Sequence, residues 1–231
     1  MRARSASISV SVKSKVLDYA QLTKMRLAWL VVLSALTGYF FALDMAYINW
    51  VQIFILILGG FMVTGSSNAF NQIIEKDLDK LMNRTSDRPL PDGRMEVNEA
   101  FWVASILGVF GVALLWIGLN PLSGILGLLA LFLYVAIYTP LKRVGPIAVF
   151  VGAFPGAIPP MLGYVAATNE FGLIPGLLFA TQFIWQFPHF WAIAWKADSD
   201  YTKAGFRLLP SSSGKSKMTA FYILIYALFL I

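Results

Sequence analysis

The sequence contains no cysteine and a single histidine, His189, among its 231 residues. A chain without cysteine can form neither a disulfide nor a thiolate metal or redox centre. Charge is also scarce, because charged residues make up 13% of the chain whereas soluble domains carry about 25%. Hydrophobic residues reach 58% and the mean hydropathy is +0.70. This balance excludes an ordinary soluble domain and indicates a membrane protein.

Long apolar runs predict an all-α polytopic bundle of membrane-spanning helices. A seventh run begins near Thr219 and reaches Ile231 before it attains the length of a full span. The sequence therefore predicts an N-terminal basic tail over 1–26 and a membrane domain over 27–231 that ends within its seventh helix. The six full spans are predicted at 27–43, 48–70, 97–119, 121–139, 144–167 and 171–195.

The 18 lysine and arginine residues all fall on one side of these predicted spans, which we call the basic side. The turns on the other side, near Asp44, Asn120 and 168–170, contain none. Because basic loops remain in the cytoplasm, this pattern predicts a cytoplasmic N-terminus. Topology also accounts for the net charge of +6, so nucleic-acid binding is not expected. Residues 1–17 are basic and serine-rich, which leaves a transit peptide as the alternative to a tail.

An acidic stripe follows the second predicted span on the basic side. Asn71, Glu75 and Asp79 recur every fourth residue, which places three oxygen-bearing side chains on one helical face. Like charges at this spacing destabilise a helix, and carboxylates close to hydrocarbon are costly. Oxygen ligands without nearby His or Cys suit a hard cation such as Mg²⁺. We therefore predict these three residues as catalytic metal ligands.

Basic residues near the stripe could bind the phosphate groups that often complete a magnesium shell. The guanidinium group of an arginine, for example, can donate two parallel hydrogen bonds to the oxygens of one phosphate group. For the other charges of the first loop, Lys76 to Arg94, solvation is the simpler interpretation. The predicted substrate-binding residues on this side are Arg84, Arg88, Lys142, Arg143 and Lys203.

A second acidic pair, Asp198 and Asp200, follows the sixth predicted span on the basic side. Like the stripe, this pair is followed by two basic residues and a Leu-Pro step, which makes a weak internal repeat. The repeat predicts two half-sites that converge on one metal–diphosphate complex. Asp198 and Asp200 are accordingly predicted as further metal ligands, and Asp200 also as a catalytic residue.

These segments are similar to known motifs. NQIIEKDLDKLMNRTSDRPLP, which begins at Asn71, resembles the first aspartate-rich motif of the UbiA-type intramembrane prenyltransferases, and DSDYTKAGFRLLP, which begins at Asp198, resembles the second. With YTPLKR and QFIWQFPHFWAIAW, they resemble the protohaem IX farnesyltransferase branch of that superfamily. The resemblance runs from about Thr23 to Pro210. It implies nine transmembrane helices around a central cavity, Mg²⁺ as cofactor, farnesyl diphosphate and haem B as substrates, and haem O as product.

The resemblance also implies roles for individual residues and the membrane in which the protein lies. It implies that Asn71, Glu75 and Asp79 bind metal and diphosphate and that Asp200 is the last acid of the second motif. The usual second motif has two acids four residues apart, but this chain has Lys196 at the earlier position, so the second metal set is less well specified. A bacterial inner membrane is implied, with membrane lipid around the protein and haem A synthase or terminal oxidase assembly downstream.

His189 lies on one face of the sixth predicted span with Gln182 and Gln186, and such a polar stripe usually faces a cavity. Two interpretations stay open for His189: contact with haem, or a core histidine that shapes the helix around Pro188. Gln186 is predicted with it as a substrate-binding residue.

Two alternatives to haem farnesylation also stay open from the residues alone. A UbiA-type enzyme could prenylate an aromatic quinone precursor instead. A cation or small-anion transporter belongs to a different class, and its site would usually lie near the bilayer midplane rather than at the ends of spans.

Overall fold

The computed structural model describes residues 12–43, 48–211 and 214–230, and the regular elements within them are helices. The predicted turn near Asp44 lies outside these residues. A π-helical turn, Leu133–Tyr138, joins the two helices Pro121–Phe132 and Thr139–Leu141 into one continuous segment. The helices are α1 Val12–Leu22, α2 Met25–Ala42, α3 Trp50–Asp79, α4 Val97–Gly118, α5 Pro121–Phe132, α6 Thr139–Leu141, α7 Ile147–Thr168, α8 Leu173–Lys196, α9 Asp198–Lys203 and α10 Lys217–Leu228.

The predicted all-α class is confirmed, with one difference in how the spans divide. Among the described residues, five helices are long and apolar enough to cross a membrane: α2, α3, α4, the continuous Pro121–Leu141 segment and α7. The sixth predicted span forms α8, which has 24 residues. Its Gln, Trp, Pro and His side chains lower its hydropathy, so α8 is not one of the five. The seventh run forms the 12-residue helix α10.

Helix α3 continues well beyond its predicted end at residue 70 and stops at Asp79. Asn49 caps its first turn, because its side-chain oxygen accepts hydrogen bonds from the N–H groups of Val51 and Gln52. Because α3 is 30 residues long, it includes the acidic stripe, which follows directly after the apolar part of the helix. The helical register that the spacing predicts for the stripe is therefore present.

The segment predicted as a basic tail contains helix α1, although residues 1–11 lie outside the described residues. The helix is fixed by polar contacts with the segment that precedes and begins α4. Arg94 Nε lies 2.9 Å from Asp18 Oδ1, while Lys15 and Tyr19 both hydrogen-bond the carboxylate of Glu99. Arg94 therefore links α1 to the loop before α4, in addition to adding charge to that loop. Helix α1 was not predicted from the sequence, because its docking depends on these distant partners.

The backbones of α2 and α7 meet closely, and glycine makes this possible. A Cβ added at Gly38 would lie 1.9 Å from the carbonyl oxygen of Pro160, and one added at Gly163 would lie 1.7 Å from that of Ala35. Two further glycines pack α7 on its other neighbours. Gly152 faces the ring of Tyr138, and Gly156 faces the amide of Gln186. Helix α7 therefore fixes the helices on both sides of the central cavity.

Replacing Gly163 with valine should separate α2 from α7, because the atom in the way belongs to the backbone and has no rotamer to change. Overpacking of this kind costs about 1–3 kcal/mol or more. Thermal unfolding in detergent should show a clearly lower melting temperature for Gly163→Val. Gly176→Val in α8 is the matched control, since nothing lies within 4 Å of the Cβ position at Gly176. Equal melting temperatures for the two variants would contradict the close packing.

Candidate active site

The acidic stripe of α3 faces the interior of the protein. Asn71, Glu75 and Asp79 are 1%, 4% and 0% exposed. Asn68 and Gln72 on the same helix are also buried, so the last third of α3 presents a continuous polar face at the end of an apolar helix. Buried carboxylates need compensation by opposite charge or hydrogen bonds.

Basic side chains from other elements provide that compensation. Lys142 Nζ lies 2.5 Å from Glu75 Oε1, and Arg88 Nη1 lies 2.6 Å from Asp79 Oδ2. Both pairs are largely shielded from solvent, with side-chain exposures of 10% and 5% in the first pair and 17% and 1% in the second. Thr85 Oγ1 donates to the backbone oxygen of Asp79 and ties the following loop to the helix end. The structure thus brings Lys142 and Arg88, predicted from sequence, to the predicted acids.

A third basic residue, Lys24, joins the cluster, although the sequence did not predict it. Lys24 Nζ donates to Asn71 Oδ1 over 3.2 Å. Burial, followed by the positive charges of Arg88 and Lys142, lowers the pKa of Lys24 to about 7. The only sequence signal was its place directly before the first span, where a basic residue is expected for topology alone. Each of the three predicted ligand residues therefore has one basic partner.

The π-helical turn connects this cluster to the cavity. Thr139 Oγ1 accepts from Asn71 Nδ2 over 3.3 Å and donates to the backbone oxygen of Tyr134 over 2.8 Å. The ammonium group of Lys142 lies 5.1 Å from the ring centroid of Tyr138, within cation–π range. π-Turns inside α-helices are frequent at functional sites. The sequence indicates Lys142, in YTPLKR, but not Tyr134, Tyr138 or Thr139, because a π-turn leaves no periodic pattern in the sequence.

The second motif contacts the loop that follows the acidic stripe. The carboxylate of Asp200 accepts from the backbone N–H groups of Asn83 and Arg84 over 3.3 and 3.2 Å, and Lys203 Nζ lies 3.4 Å from it. Some desolvation raises the pKa of Asp200, but these N–H donors outweigh it and hold the pKa below its usual range. Arg84 Nη2 donates to the hydroxyl of Tyr201. The two motifs are therefore joined, as the half-site prediction requires.

The remaining predicted residues lie farther out. Arg143 is exposed in the turn after α6, and Asp198 begins α9, where its backbone oxygen accepts from Thr202 Oγ1. After α9 the chain turns inward, and Phe206, Leu208 and Leu209 are buried in an apolar cluster. The ring centroid of Phe206 lies 5.6 Å from the ammonium group of Lys142. This packing holds the second motif against the charged cluster.

The donor set fits a hard cation, provided that the basic partners move. Within the described residues, no three His, Cys, Asp or Glu side chains form a ready-made metal cluster. Asp79 Oδ1, however, is buried and has no hydrogen-bond partner among those residues, and Glu75 Oε1 has only the ion pair with Lys142. A buried carboxylate oxygen without a donor is available to a metal ion or to one of its waters. Asn71, Glu75 and Asp79 therefore could hold Mg²⁺.

A cavity of about 590 Å³ opens beside the charged cluster, between α2, α3, α7, α8 and the π-turn. Most of its lining is apolar. The predicted cavity-facing stripe of α8 is confirmed, since Gln182, Gln186 and His189 all line it. Gln186 also donates to the backbone oxygen of Gly156, and the imidazole of His189 stacks on Trp185 with ring centroids 4.4 Å apart. Asn68, one turn before Asn71, lines the same cavity and links it to the acidic stripe.

Comparison with known proteins accounts for this arrangement. Residues 31–231 match the UbiA prenyltransferase family. The chain belongs to the UbiA prenyltransferase family. It is therefore a prenyltransferase and an integral membrane protein, and the family resemblance drawn from its two motifs is confirmed.

The chain is similar to proteins named protoheme IX farnesyltransferase. The protein of Flavobacterium psychrophilum is 50% identical over 220 residues, which cover 95% of this chain and 73% of the relative. The protein of Christiangramia forsetii is 52% identical over 209 residues, which cover 90% of this chain and 68% of the relative.

Solved UbiA structures share the fold. A UbiA homolog from Archaeoglobus fulgidus, bound to DMAPP and Mg²⁺, superposes with a TM-score of 0.74 at 17% identity and covers 92% of this chain and 75% of its own. The apo structure of a UbiA homolog from Aeropyrum pernix K1 gives a TM-score of 0.67 at 18% identity and covers 96% of this chain and 78% of its own. At these identities the likeness concerns the fold.

The buried Glu75–Lys142 ion pair predicts that removing one partner destabilises the protein more than removing both. Lys142→Met should destabilise the protein by about 3–5 kcal/mol, because it leaves Glu75 buried and unpaired. The double variant Lys142→Met/Glu75→Gln should recover most of that loss. Thermal or denaturant unfolding in detergent measures both. The exposed pair Lys80–Asp77 is the control, and Lys80→Met should change stability by less than about 1 kcal/mol. Additive losses in the double variant would argue against a buried pair.

Proposed function

We propose that this chain transfers a farnesyl group from farnesyl diphosphate to a vinyl group of haem B and thereby forms haem O. The observation that supports this most strongly is the junction of two features. A buried cluster of acids and bases, suited to a metal–diphosphate group, adjoins an apolar cavity suited to a prenyl chain and a flat hydrophobic acceptor. The names of the relatives supply the acceptor and the donor.

Asn71, Glu75 and Asp79 would hold Mg²⁺, with Asp198 and Asp200 as a second set. The solved UbiA homolog bound to DMAPP and Mg²⁺ agrees with such a cofactor. Bound Mg²⁺ would neutralise charge on the diphosphate and make it a better leaving group.

The basic residues bind the diphosphate in this proposal. Lys142 and Arg88 leave their carboxylate partners and turn to the phosphate oxygens, to which Arg84 also has access from the loop beside Asp200. Lys203 and Arg143, which are more exposed, attract the anionic substrate to the site. Exchange of partners keeps every buried charge compensated before and after binding.

Ionisation follows from this binding. The allylic C–O bond breaks, and the diphosphate leaves with the electron pair while basic side chains stabilise its charge. The farnesyl cation lies in the cavity, where the rings of Tyr134, Tyr138 and Phe190 can stabilise it by cation–π contact. The haem vinyl group supplies the electrons for the new C–C bond. Water then captures the resulting cation on the porphyrin side and loses a proton, which gives the hydroxyethylfarnesyl group.

In this proposal His189 contacts the haem. It lies in the cavity wall about two turns before α8 ends at Lys196, and therefore below the charged cluster rather than within it. The haem propionates would lie toward the basic end, which we assign to the cytoplasmic side. The ring or iron of haem would then reach His189.

Asp79→Asn should lower haem O formation at least about a hundredfold, because it removes the charge of a ligand with a free buried oxygen. Mass spectrometry of haem extracted from membranes that contain the protein and farnesyl diphosphate measures the product. Asp77→Asn is the control two residues away, with a side chain that is 76% exposed. Full activity of Asp79→Asn, or activity that survives chelation of divalent ions, would contradict the metal role. A prenylated quinone precursor in place of haem O would support the other acceptor.

His189→Ala should lose haem farnesylation while farnesyl diphosphate binding stays largely intact, because His189 lies away from the charged cluster. The two properties are measured separately, haem binding by absorption spectroscopy and diphosphate binding by calorimetry. Normal haem affinity together with normal turnover would return His189 to a packing role on Trp185.

A further inference from the structure

Lys24 occupies an unusual backbone conformation. It lies in the two-residue connection between α1 and α2 with φ 49° and ψ 55°, in the left-handed region. Residues with a Cβ enter this region at a cost, and such conformations persist where the surrounding structure holds them and often at functional sites. The conformation gives the connection a sharp turn, and the Lys24 side chain reaches α3.

Helix α3 holds this turn with two side chains that lie beside the ligand residues. Asn68 Nδ2 donates to the backbone oxygen of Thr23 over 3.0 Å. Gln72 Nε2 donates to the backbone oxygens of Gln21 and Leu22 over 3.0 and 2.8 Å. The polar face of α3 therefore does two things: it presents the acidic stripe, and it fixes the backbone that delivers Lys24 to that stripe.

The charge around Lys24 is unbalanced. Glu75 and Asp79 have their own partners in Lys142 and Arg88, whereas Lys24 donates only to the neutral amide of Asn71 in the contacts that the structure describes for it. The cluster thus contains three basic side chains and two carboxylates. Lys24 is partly buried, and withdrawing an additional ammonium group from water beside two other cations is unfavourable unless an anion completes the site.

We propose that Lys24 is a diphosphate-binding residue of this site, delivered by the left-handed turn that Asn68 and Gln72 hold. When diphosphate is present, Lys24 Nζ leaves Asn71 Oδ1 and donates to a phosphate oxygen. This movement also frees the oxygen of Asn71 for the metal ion. The identity of the anion rests on the proposed function, but the position and charge of Lys24 do not.

The test measures binding of inorganic pyrophosphate with Mg²⁺ to the full chain in detergent by calorimetry. Lys24→Met removes the charge and keeps the length of the side chain, and Lys24→Asn tolerates the left-handed conformation if the methionine variant folds poorly. Both should bind about tenfold or more weakly, the effect of losing one charge-assisted hydrogen bond. Lys80→Met, an exposed lysine directly after Asp79, should bind within about twofold of the unaltered protein.

Thermal unfolding separates binding from packing. The melting temperature of Lys24→Met should equal or exceed that of the unaltered protein, because an uncompensated, partly buried charge is gone. Unchanged pyrophosphate affinity in both Lys24 variants would overturn the role of Lys24 and leave the proposed function standing. Loss of affinity that accompanies a large fall in melting temperature in both variants would also overturn it, in favour of a structural role. If the unaltered protein binds no pyrophosphate with Mg²⁺, the proposed function itself fails.

Discussion

The burial of two carboxylates at the end of a long apolar helix is the constraint on which the rest of the structure depends. Glu75 and Asp79 are 4% and 0% exposed, and a buried carboxylate without an opposite charge is strongly unfavourable. The chain meets this requirement with Lys142 and Arg88, which come from different elements. The positions of those elements are therefore coupled to the charges on α3.

This coupling explains several irregular features together. The π-turn places Thr139 against Asn71 while Lys142 reaches Glu75. The loop after α3 folds back so that Arg88 can reach Asp79, and the second motif holds that loop through Asp200. A fold built only for stability could place apolar residues at these positions at similar or lower cost. In the proposed function a metal–diphosphate group, which has the required charges, replaces these partners.

Much of this could be predicted from the sequence. The spacing of Asn71, Glu75 and Asp79 is a local property of a helix, so their common face followed directly. Lys24, Thr139 and helix α1 could not be predicted, because their roles depend on contacts between residues far apart in the chain that no periodicity reveals. Helix α8 shows the intermediate case: its polar stripe predicted a cavity correctly, but the same polar residues made it less apolar than the other spans.

If basic side chains occupy the ligand positions until diphosphate draws them away, Mg²⁺ should bind only together with diphosphate, and a binding measurement tests this most directly. Calorimetric titration of the purified protein should show weak binding of Mg²⁺ alone and of farnesyl diphosphate alone, and much tighter binding of each in the presence of the other. Thermodynamic linkage requires this reciprocity when Mg²⁺ and diphosphate together replace the basic partners of the carboxylates. Tight binding of Mg²⁺ without diphosphate, or diphosphate binding that is indifferent to Mg²⁺, would contradict the account.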